Sequence, residues 1–158
     1  MLIQIGQAVP LIGRALQGVA SVWDHVISWF SKKQSCMALS TVEAEYVAAC
    51  LASCEAVWLR KLLSNLFDLH LDATCIYCDN QSCVKLSKNP VFHDKSKHIE
   101  IKYHYIRDMV HKGVVKLRYV ATDEQIADVL TKPLARVKFE YVREKLGVLQ
   151  IEVPSKGN

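Results

Sequence analysis

The stretch Ala73-Thr-Cys-Ile-Tyr-Cys-Asp-Asn-Gln-Ser82 decides how the rest of the chain is interpreted. Its first residues suit a buried β-strand that runs directly into Asp79, and Asn80 and Ser82 can cap a following helix. A carboxylate at the carboxyl end of a buried strand is placed to hold a metal ion. Composition alone favours the simpler interpretation, in which Asp79 only opens the turn before the helix. The rest of the chain decides between these two interpretations.

Strands and helices alternate on both sides of this stretch. Before it, Val26 to Phe30 is typical of a short strand with Trp29 in the core. A capping box, Ser40-Thr-Val-Glu43, predicts the start of a helix that ends near Leu66. The alternation predicts an α/β domain.

Further elements are predicted after Asp79. The pattern indicates a helix to about Lys88, a helix from His98 to Lys112, a strand from Val114 to Val120, a helix from Gln125 to Lys132 after a second capping box, and a last helix from Arg136 to Leu146. Apolar and basic residues alternate along the predicted strand, so one of its faces should be basic. Residues 149–158 are expected to form a loose tail.

Three carboxylates can converge on one site. Glu45 shares a helix face with several alanines, which let a helix approach a sheet closely, so Glu45 could reach a strand end. The alternative is that Glu45 only favours the helix N-terminus electrostatically. Asp79 ends a strand and Asp128 lies in a late helix. The sequence shows no Ser/His/Asp arrangement and no glycine-rich phosphate loop that would compete with them.

Length and composition indicate one globular domain. The chain has 158 residues, 51% of them apolar, and a net charge of +4. This mild basic excess permits a nucleic-acid partner without requiring one. No apolar run is long enough to cross a membrane, and the first 22 residues lack the basic start of a signal peptide. We therefore expect no membrane partner.

The six cysteines indicate free thiols rather than a zinc site. Cys75 and Cys78 form a Cys-x-x-Cys pair inside the strand, but no second Cys/His pair follows at zinc spacing. Free thiols favour a reducing intracellular compartment, either cytoplasm or nucleus.

Basic side chains concentrate between residues 95 and 118, interleaved with Tyr103 and Tyr105. This arrangement suits contact with a phosphate backbone, but it is also typical of an ordinary solvated surface. The candidate nucleic-acid-binding residues are Lys95, Lys97, His98, Lys102, Arg107, Lys116 and Arg118.

Six motifs occur in a fixed order along the chain. They are Ile27-Ser-Trp-Phe-Ser-Lys-Lys-Gln34, Leu39-Ser-Thr-Val-Glu-Ala-Glu-Tyr46, Ile76-Tyr-Cys-Asp-Asn-Gln-Ser82, Lys88-Asn-Pro-Val-Phe-His93, Lys97-His-Ile-Glu-Ile-Lys-Tyr-His-Tyr-Ile-Arg107 and Glu124-Gln-Ile-Ala-Asp-Val-Leu-Thr-Lys-Pro-Leu134. Together they resemble the ribonuclease H domain at the C-terminal end of copia-type retrotransposon Pol polyproteins. The resemblance covers residues 26–148.

The resemblance implies a ribonuclease H-like fold, in which helices flank a mixed sheet of five strands. It implies hydrolysis of the RNA strand of an RNA–DNA hybrid with two Mg²⁺ ions, and a reverse transcriptase module in the parent polyprotein. Two ions about 3.5–4 Å apart can clamp the attacking water and the leaving oxygen, and Mg²⁺ prefers carboxylate oxygens. By motif, the resemblance assigns Glu45, Asp79 and Asp128 as catalytic, metal-binding residues.

The chain departs from the family before Val26. The family carries a fourth acid on its first strand, in a pattern like Asp-x-Asp-Trp-Ala-Gly, whereas residues 1–23 contain no Asp or Glu and Asp24 comes too late. A one-nucleotide shift explains this. A gene segment encoding Asp-Ala-Asp-Ser-Asp-Trp-Ala-Gly, read one nucleotide later with suitable codons, gives Met1-Leu-Ile-Gln-Ile-Gly-Gln-Ala8, and the same shift can continue to His25.

This hypothesis divides the chain into a frame-shifted segment 1–25, a ribonuclease H-like domain 26–148 and the tail. We expect the first two strands of the sheet to be missing or replaced, which would leave the strand of Asp79 without one of its neighbours. Weak folding and little or no nuclease activity should follow. The alternatives are a non-catalytic remnant that binds nucleic acid or protein, and a gene model that is never translated.

Overall fold

A computed structural model describes residues 1–8, 15–22, 26–35, 37–88 and 105–149 of the chain. Its centre is one five-stranded sheet with the strand order β3-β2-β1-β4-β5. The strands are β1 Leu2–Ala8, β2 Leu16–Val22, β3 Val26–Lys33, β4 Thr74–Cys78 and β5 Val115–Tyr119. β1, β2 and β3 pair antiparallel, whereas β4 runs parallel to both β1 and β5. The sheet is therefore mixed, as expected.

Helices cover both faces of the sheet. The α-helices are α1 Thr41–Phe67, α2 Gln81–Lys88, α3 with its described residues 105–111, and α4 Arg136–Lys145. Two short 3₁₀ helices, Thr122–Glu124 and Ile126–Leu130, connect β5 to α4. None of the helices in the described ranges combines the length and apolar character that crossing a bilayer requires.

Leu2–Ala8 and Leu16–Val22 occupy the positions of the first two strands, so the expectation that the strand of Asp79 would lack one of its neighbours is wrong. β1 pairs with β2 over seven residue pairs, from Leu2↔Val22 to Ala8↔Leu16, and β4 has neighbours on both sides. The physical reason is that strands pair through backbone groups, which almost any sequence supplies. In addition, Arg14 is the single charged side chain in the sequence of residues 1–22, so little charge opposes burial there. A strand can form there whatever the origin of its sequence.

The predicted capping box starts α1. The Glu43 backbone N–H donates to Ser40 Oγ at 3.1 Å, and Glu43 Oε2 accepts from the Leu39 N–H at 2.8 Å. The alanines of α1 then lie against the sheet, where they share one core with residues of four strands and α3, among them Ile3, Val19, Ile76, Val115 and Ile106. Close approach by this alanine face fixes where the first turns of α1 lie.

A second core lies on the opposite face of the sheet. It joins Ala20 of β2 to the second 3₁₀ helix and α4, through Ile126, Ala127, Val142 and Leu146. Gly18 permits this packing, because a Cβ there would lie 2.8 Å from Leu130 Cβ and 3.2 Å from the Ala127 carbonyl oxygen. The close contact brings the 3₁₀ helix that carries Asp128 onto β2.

Two detailed predictions fail. Trp29 is 63% exposed rather than in the core, because β3 is an edge strand and is covered only in part. The predicted helix from Gln125 to Lys132 is the 3₁₀ helix Ile126–Leu130, and Gln125 makes no side-chain capping bond. The Thr122 hydroxyl, expected in a capping box, donates to Asp79 Oδ2 at 3.2 Å instead. A tertiary contact therefore replaces the local one.

Other predictions agree with the structure or lie outside it. The cap Asn80 is confirmed, since its Oδ1 accepts from the Cys83 N–H at 3.1 Å, and Gly147 ends the last helix region with a φ of 70°. The five described cysteines are all free. Cys75 and Cys78 are three residues apart in β4 and so point to opposite faces of the sheet. The start of α3 and residues 150–158 lie outside the described ranges.

Candidate metal site at the carboxyl end of β4

Glu45 and Asp79 meet where β4 ends. Glu45 lies in the second turn of α1, and Asp79 directly follows the last residue of β4, Cys78. One ligand atom from each of these three residues lies within 4.8 Å of the other two. The Cys78 thiol also donates a hydrogen bond to Glu45 Oε2 at 3.5 Å. The alanine face of α1 thus carries Glu45 to the strand end, as the sequence predicted.

Burial dominates the electrostatics of Glu45, whose exposed fraction is 6%. Desolvation, followed by the nearby Cys78 and the charge of Asp79, raises the pKa of Glu45 to about 9. A hydrogen bond with Cys83 and burial raise the pKa of Cys78 well above its usual range. With no cation bound, both groups are therefore protonated at neutral pH.

Asp128 lies beside this cluster rather than within it. Its side chain is buried, and burial raises its pKa, while a hydrogen bond from Lys132 acts in the opposite direction. Lys132 Nζ lies 3.0 Å from Asp128 Oδ1. The charge of Asp79 also raises the pKa of Asp128, so the two carboxylates are within electrostatic reach. The structure thus brings all three predicted acids to one region but pairs Asp128 with a lysine.

Three residues of this region were not predicted as site residues. Cys78 immediately precedes Asp79, Thr122 donates to Asp79, and Lys132 pairs with Asp128. The spacing of four residues between Asp128 and Lys132 was a usable sequence signal for the ion pair. The sequence carried no such signal for Thr122, because its contact joins residues 43 positions apart.

The neighbouring strand β1 adds no carboxylate. It lies parallel to β4, with Ile3 opposite Ile76 and Gln4 opposite Tyr77. Since residues 1–23 contain no Asp or Glu, the strand next to β4 offers no acidic ligand. The donor set of Glu45 and Asp79, with Asp128 nearby, fits one divalent cation that prefers oxygen ligands. The same donor set is poor for two cations, because a pair of ions is held by several shared carboxylates.

The candidate nucleic-acid-binding residues are only partly described. Lys95, Lys97, His98 and Lys102 lie outside the described ranges. Lys116 and Arg118 are exposed on β5, which confirms the basic face of that strand. Arg107 is partly buried, and its Nε donates to the Leu86 carbonyl oxygen at 3.4 Å. The described part of the basic stretch is therefore centred on β5.

Comparison with curated proteins gives close relatives. The chain is 47% identical over 122 residues to the retrovirus-related Pol polyprotein from transposon TNT 1-94 of Nicotiana tabacum. It is 44% identical over 133 residues to the polyprotein from transposon RE2 of Arabidopsis thaliana. These matches cover 77% and 84% of the chain but 9% of each polyprotein. No model of a known protein family matches the chain.

Solved structures share the fold. A crystal structure of the ribonuclease H1 LC11 in complex with an RNA/DNA hybrid matches 82% of this chain and 91% of its own, with a TM-score of 0.59 and 16% identity. Ribonuclease H1 of Halobacterium salinarum gives 0.57 at 17% identity, over 82% of this chain and 92% of its own. The protease–reverse transcriptase of prototype foamy virus gives 0.58 at 14% identity, over 82% of this chain and 20% of that one.

Sequence and fold thus point the same way. The sequence relatives are transposon polyproteins, of which the chain spans about a tenth, and two of the structural neighbours are ribonuclease H1 proteins. The chain belongs to the retrovirus-related Pol polyproteins of copia-type transposons, as their ribonuclease H-like domain.

Proposed function

We propose that this domain descends from a nuclease that hydrolyses the RNA strand of RNA–DNA hybrids with divalent cations, and that this chain has lost most of that activity. The observation that carries the proposal is the acidic site at the end of β4. Glu45 and Asp79 converge there, with Asp128 beside them, while β1 adds no carboxylate. The transposon relatives and the ribonuclease H fold support the choice of substrate.

The residues of the site would have different roles in catalysis. Glu45 and Asp79 would hold a divalent cation, because their carboxylates converge and hard oxygens suit Mg²⁺. A bound cation would supply Lewis-acid activation of the attacking water and stabilise the leaving oxygen. Thr122 orients Asp79 through its hydroxyl, and Asp128 needs release from Lys132 before it can act as a ligand.

We also propose that segment 1–25 is a family segment translated in the wrong frame. Two buried polar atoms of β2, Gln17 Oε1 and Ser21 Oγ, have no hydrogen-bond partner among the described residues. Gln34 and Gln125, outside this segment, also carry buried polar atoms without a described partner, so the support for the proposal is the sequence: residues 1–23 contain no Asp or Glu, and the family pattern fits the other reading frame. The nucleotide sequence tests the idea directly, since the other frame over codons 1–25 must spell the acidic family pattern.

Cleavage of a labelled RNA–DNA hybrid tests the proposed function. We expect the purified 158-residue chain to show little or no Mg²⁺-dependent cleavage. Robust Mg²⁺-dependent cleavage that Asp79→Asn abolishes would contradict the proposed loss of activity, because it would show that the site is complete without the acid of β1.

The second candidate function is binding of nucleic acid without catalysis. The exposed Lys116 and Arg118 on β5 favour it, since basic side chains on one face can track a phosphate backbone. Binding of the hybrid that weakens steeply with salt, in the absence of cleavage, would support this function. Its phosphate contacts should contribute to the salt slope, so a Lys116→Gln, Arg118→Gln variant should lower that slope by about 1–2 units.

A further inference from the structure

We propose that Lys132 is a built-in counter-ion of the acidic site and competes with a divalent cation for the carboxylate of Asp128. The proposal deepens the proposed function and rests on it, because it concerns the same cation site. Lys132 would act as a positioning residue that sets how tightly the site binds a cation, rather than as a group that reacts.

The position of the ammonium group carries the proposal. Lys132 Nζ lies 3.0 Å from Asp128 Oδ1, and the Asp128 side chain is only 3% exposed. The buried carboxylate of Asp128 is therefore paired with a cationic side chain that belongs to the same turn.

The local backbone holds Lys132 in this place. The Lys132 N–H donates to the Asp128 carbonyl oxygen at 2.8 Å, and the Thr131 N–H donates to the same oxygen at 3.0 Å. These bonds close the end of the 3₁₀ helix, and Pro133 follows immediately. The residue that carries the ammonium group is thus fixed one turn from the carboxylate, unlike a lysine on a freely moving surface segment.

A second pair in the chain shows what is special about this one. Asp108 and Lys112 have the same spacing of four residues and an Nζ–Oδ2 distance of 2.7 Å, but their side chains are 47% and 59% exposed. Water screens such a surface pair, whereas a buried carboxylate requires a counter-charge. Asp128 can obtain that charge from Lys132 or from a cation, and the two sources exclude each other in part.

The missing acid of β1 strengthens the competition. A site with fewer carboxylates attracts a divalent cation less, while the lysine keeps its full charge. In this chain the competition for Asp128 therefore favours Lys132 over the cation. Removing the ammonium group should restore part of the cation affinity without adding any ligand.

Direct measurement of Mn²⁺ binding tests the proposal. The probe is Mn²⁺ alone, with the free ion followed by electron paramagnetic resonance in the full 158-residue chain. We expect Lys132→Gln to bind Mn²⁺ about tenfold more tightly than the unmodified chain, which corresponds to about 1.4 kcal/mol. Lys132→Arg keeps the charge and should bind as the unmodified chain does. Lys112→Gln is the matched control, because it removes the same charge from the exposed pair.

The outcomes separate this proposal from the proposed function. Tighter binding by Lys132→Gln alone supports the counter-ion role even when no variant cleaves a hybrid. Equal binding by Lys132→Gln and Lys112→Gln overturns it, as does the absence of Mn²⁺ binding in all variants. Circular dichroism checks that each variant folds, and Lys132→Met, which retains the aliphatic stem, provides a second neutral variant with the same expected gain.

Discussion

Glu45 is a carboxyl group that the fold holds out of water. Its folded-state pKa is about 9, against an ordinary value of 4.5, mainly because of burial. The folded state therefore keeps a proton that the unfolded chain releases. The stability that this provides is complete below pH 4.5 and is lost as the pH rises from 4.5 to 9, by at most about 1.4 kcal/mol for each pH unit.

The pH profile of a Glu45→Gln variant tests this directly. The substituted amide cannot ionise, so the melting temperature of the metal-free variant should fall less than that of the unmodified chain between about pH 5 and about pH 8. Thermal melts in the presence of a chelator provide the measurement. Glu140→Gln, which alters an exposed pair with Arg136, should keep the original profile. Identical profiles for all three proteins would show that Glu45 ionises normally.

Single residues also show what the sequence could reveal about the site. Glu45, Asp79 and Asp128 were identifiable from motifs, and the structure brings them to one region. The spacing of four residues predicts the ion pair between Asp128 and Lys132. The effect of that pair on the site depends on the burial of Asp128, which no local sequence pattern shows. The role of Thr122 depends on packing between distant segments and was therefore not predictable.

At the scale of elements, local signals predicted α1, α2, β4 and β5 well. These elements carry their own caps and alternation, such as the Ser40 cap and the Asn80 cap. β1 and β2 were not predictable as strands, because residues 1–25 show no clean alternation. They lie between β3 and β4 in the sheet, so their position depends on pairing with strands that are distant in sequence. The 3₁₀ helix Ile126–Leu130 also depends on tertiary packing, against Gly18.

The fit of β2 to the sheet can be tested at Gln17. Its Oε1 atom is buried without a hydrogen-bond partner among the described residues, so Gln17→Met should raise the free energy of unfolding by about 1–2 kcal/mol. Urea denaturation measures the change. Gln34→Met is the control: Gln34 Oε1 is also buried without a described partner, but this substitution removes the bond that Gln34 Nε2 donates to the Ala44 carbonyl oxygen at 2.8 Å, so we expect no gain. A less stable Gln17→Met variant would show that Gln17 is well accommodated.

At the scale of the whole molecule, a five-stranded sheet coexists with an acidic site to which β1 contributes no carboxylate. The five strands are present in one sheet, and the antiparallel pair β2·β3 and the parallel pair β1·β4 join residues before position 25 to residues after it. Backbone pairing and apolar packing tolerate many sequences, whereas a cation site requires carboxylates at fixed positions. A shift of reading frame would therefore damage the chemistry more than the fold.

Restoring the other reading frame tests this most directly. Residues 1–25 would be replaced by Asp-Ala-Asp-Ser-Asp-Trp-Ala-Gly-Ser-Ala-Thr-Asp-Arg-Lys-Ser-Thr-Ser-Gly-Gly-Cys-Phe-Ser-Leu-Gly-Ser, and both purified chains would be assayed for Mg²⁺-dependent cleavage of an RNA–DNA hybrid. We expect the unmodified chain to cleave little or nothing and the restored chain to cleave at least about a hundredfold faster, in a manner that Asp79→Asn abolishes. Equal cleavage by both chains, lost from each with Asp79→Asn, would contradict the central claim.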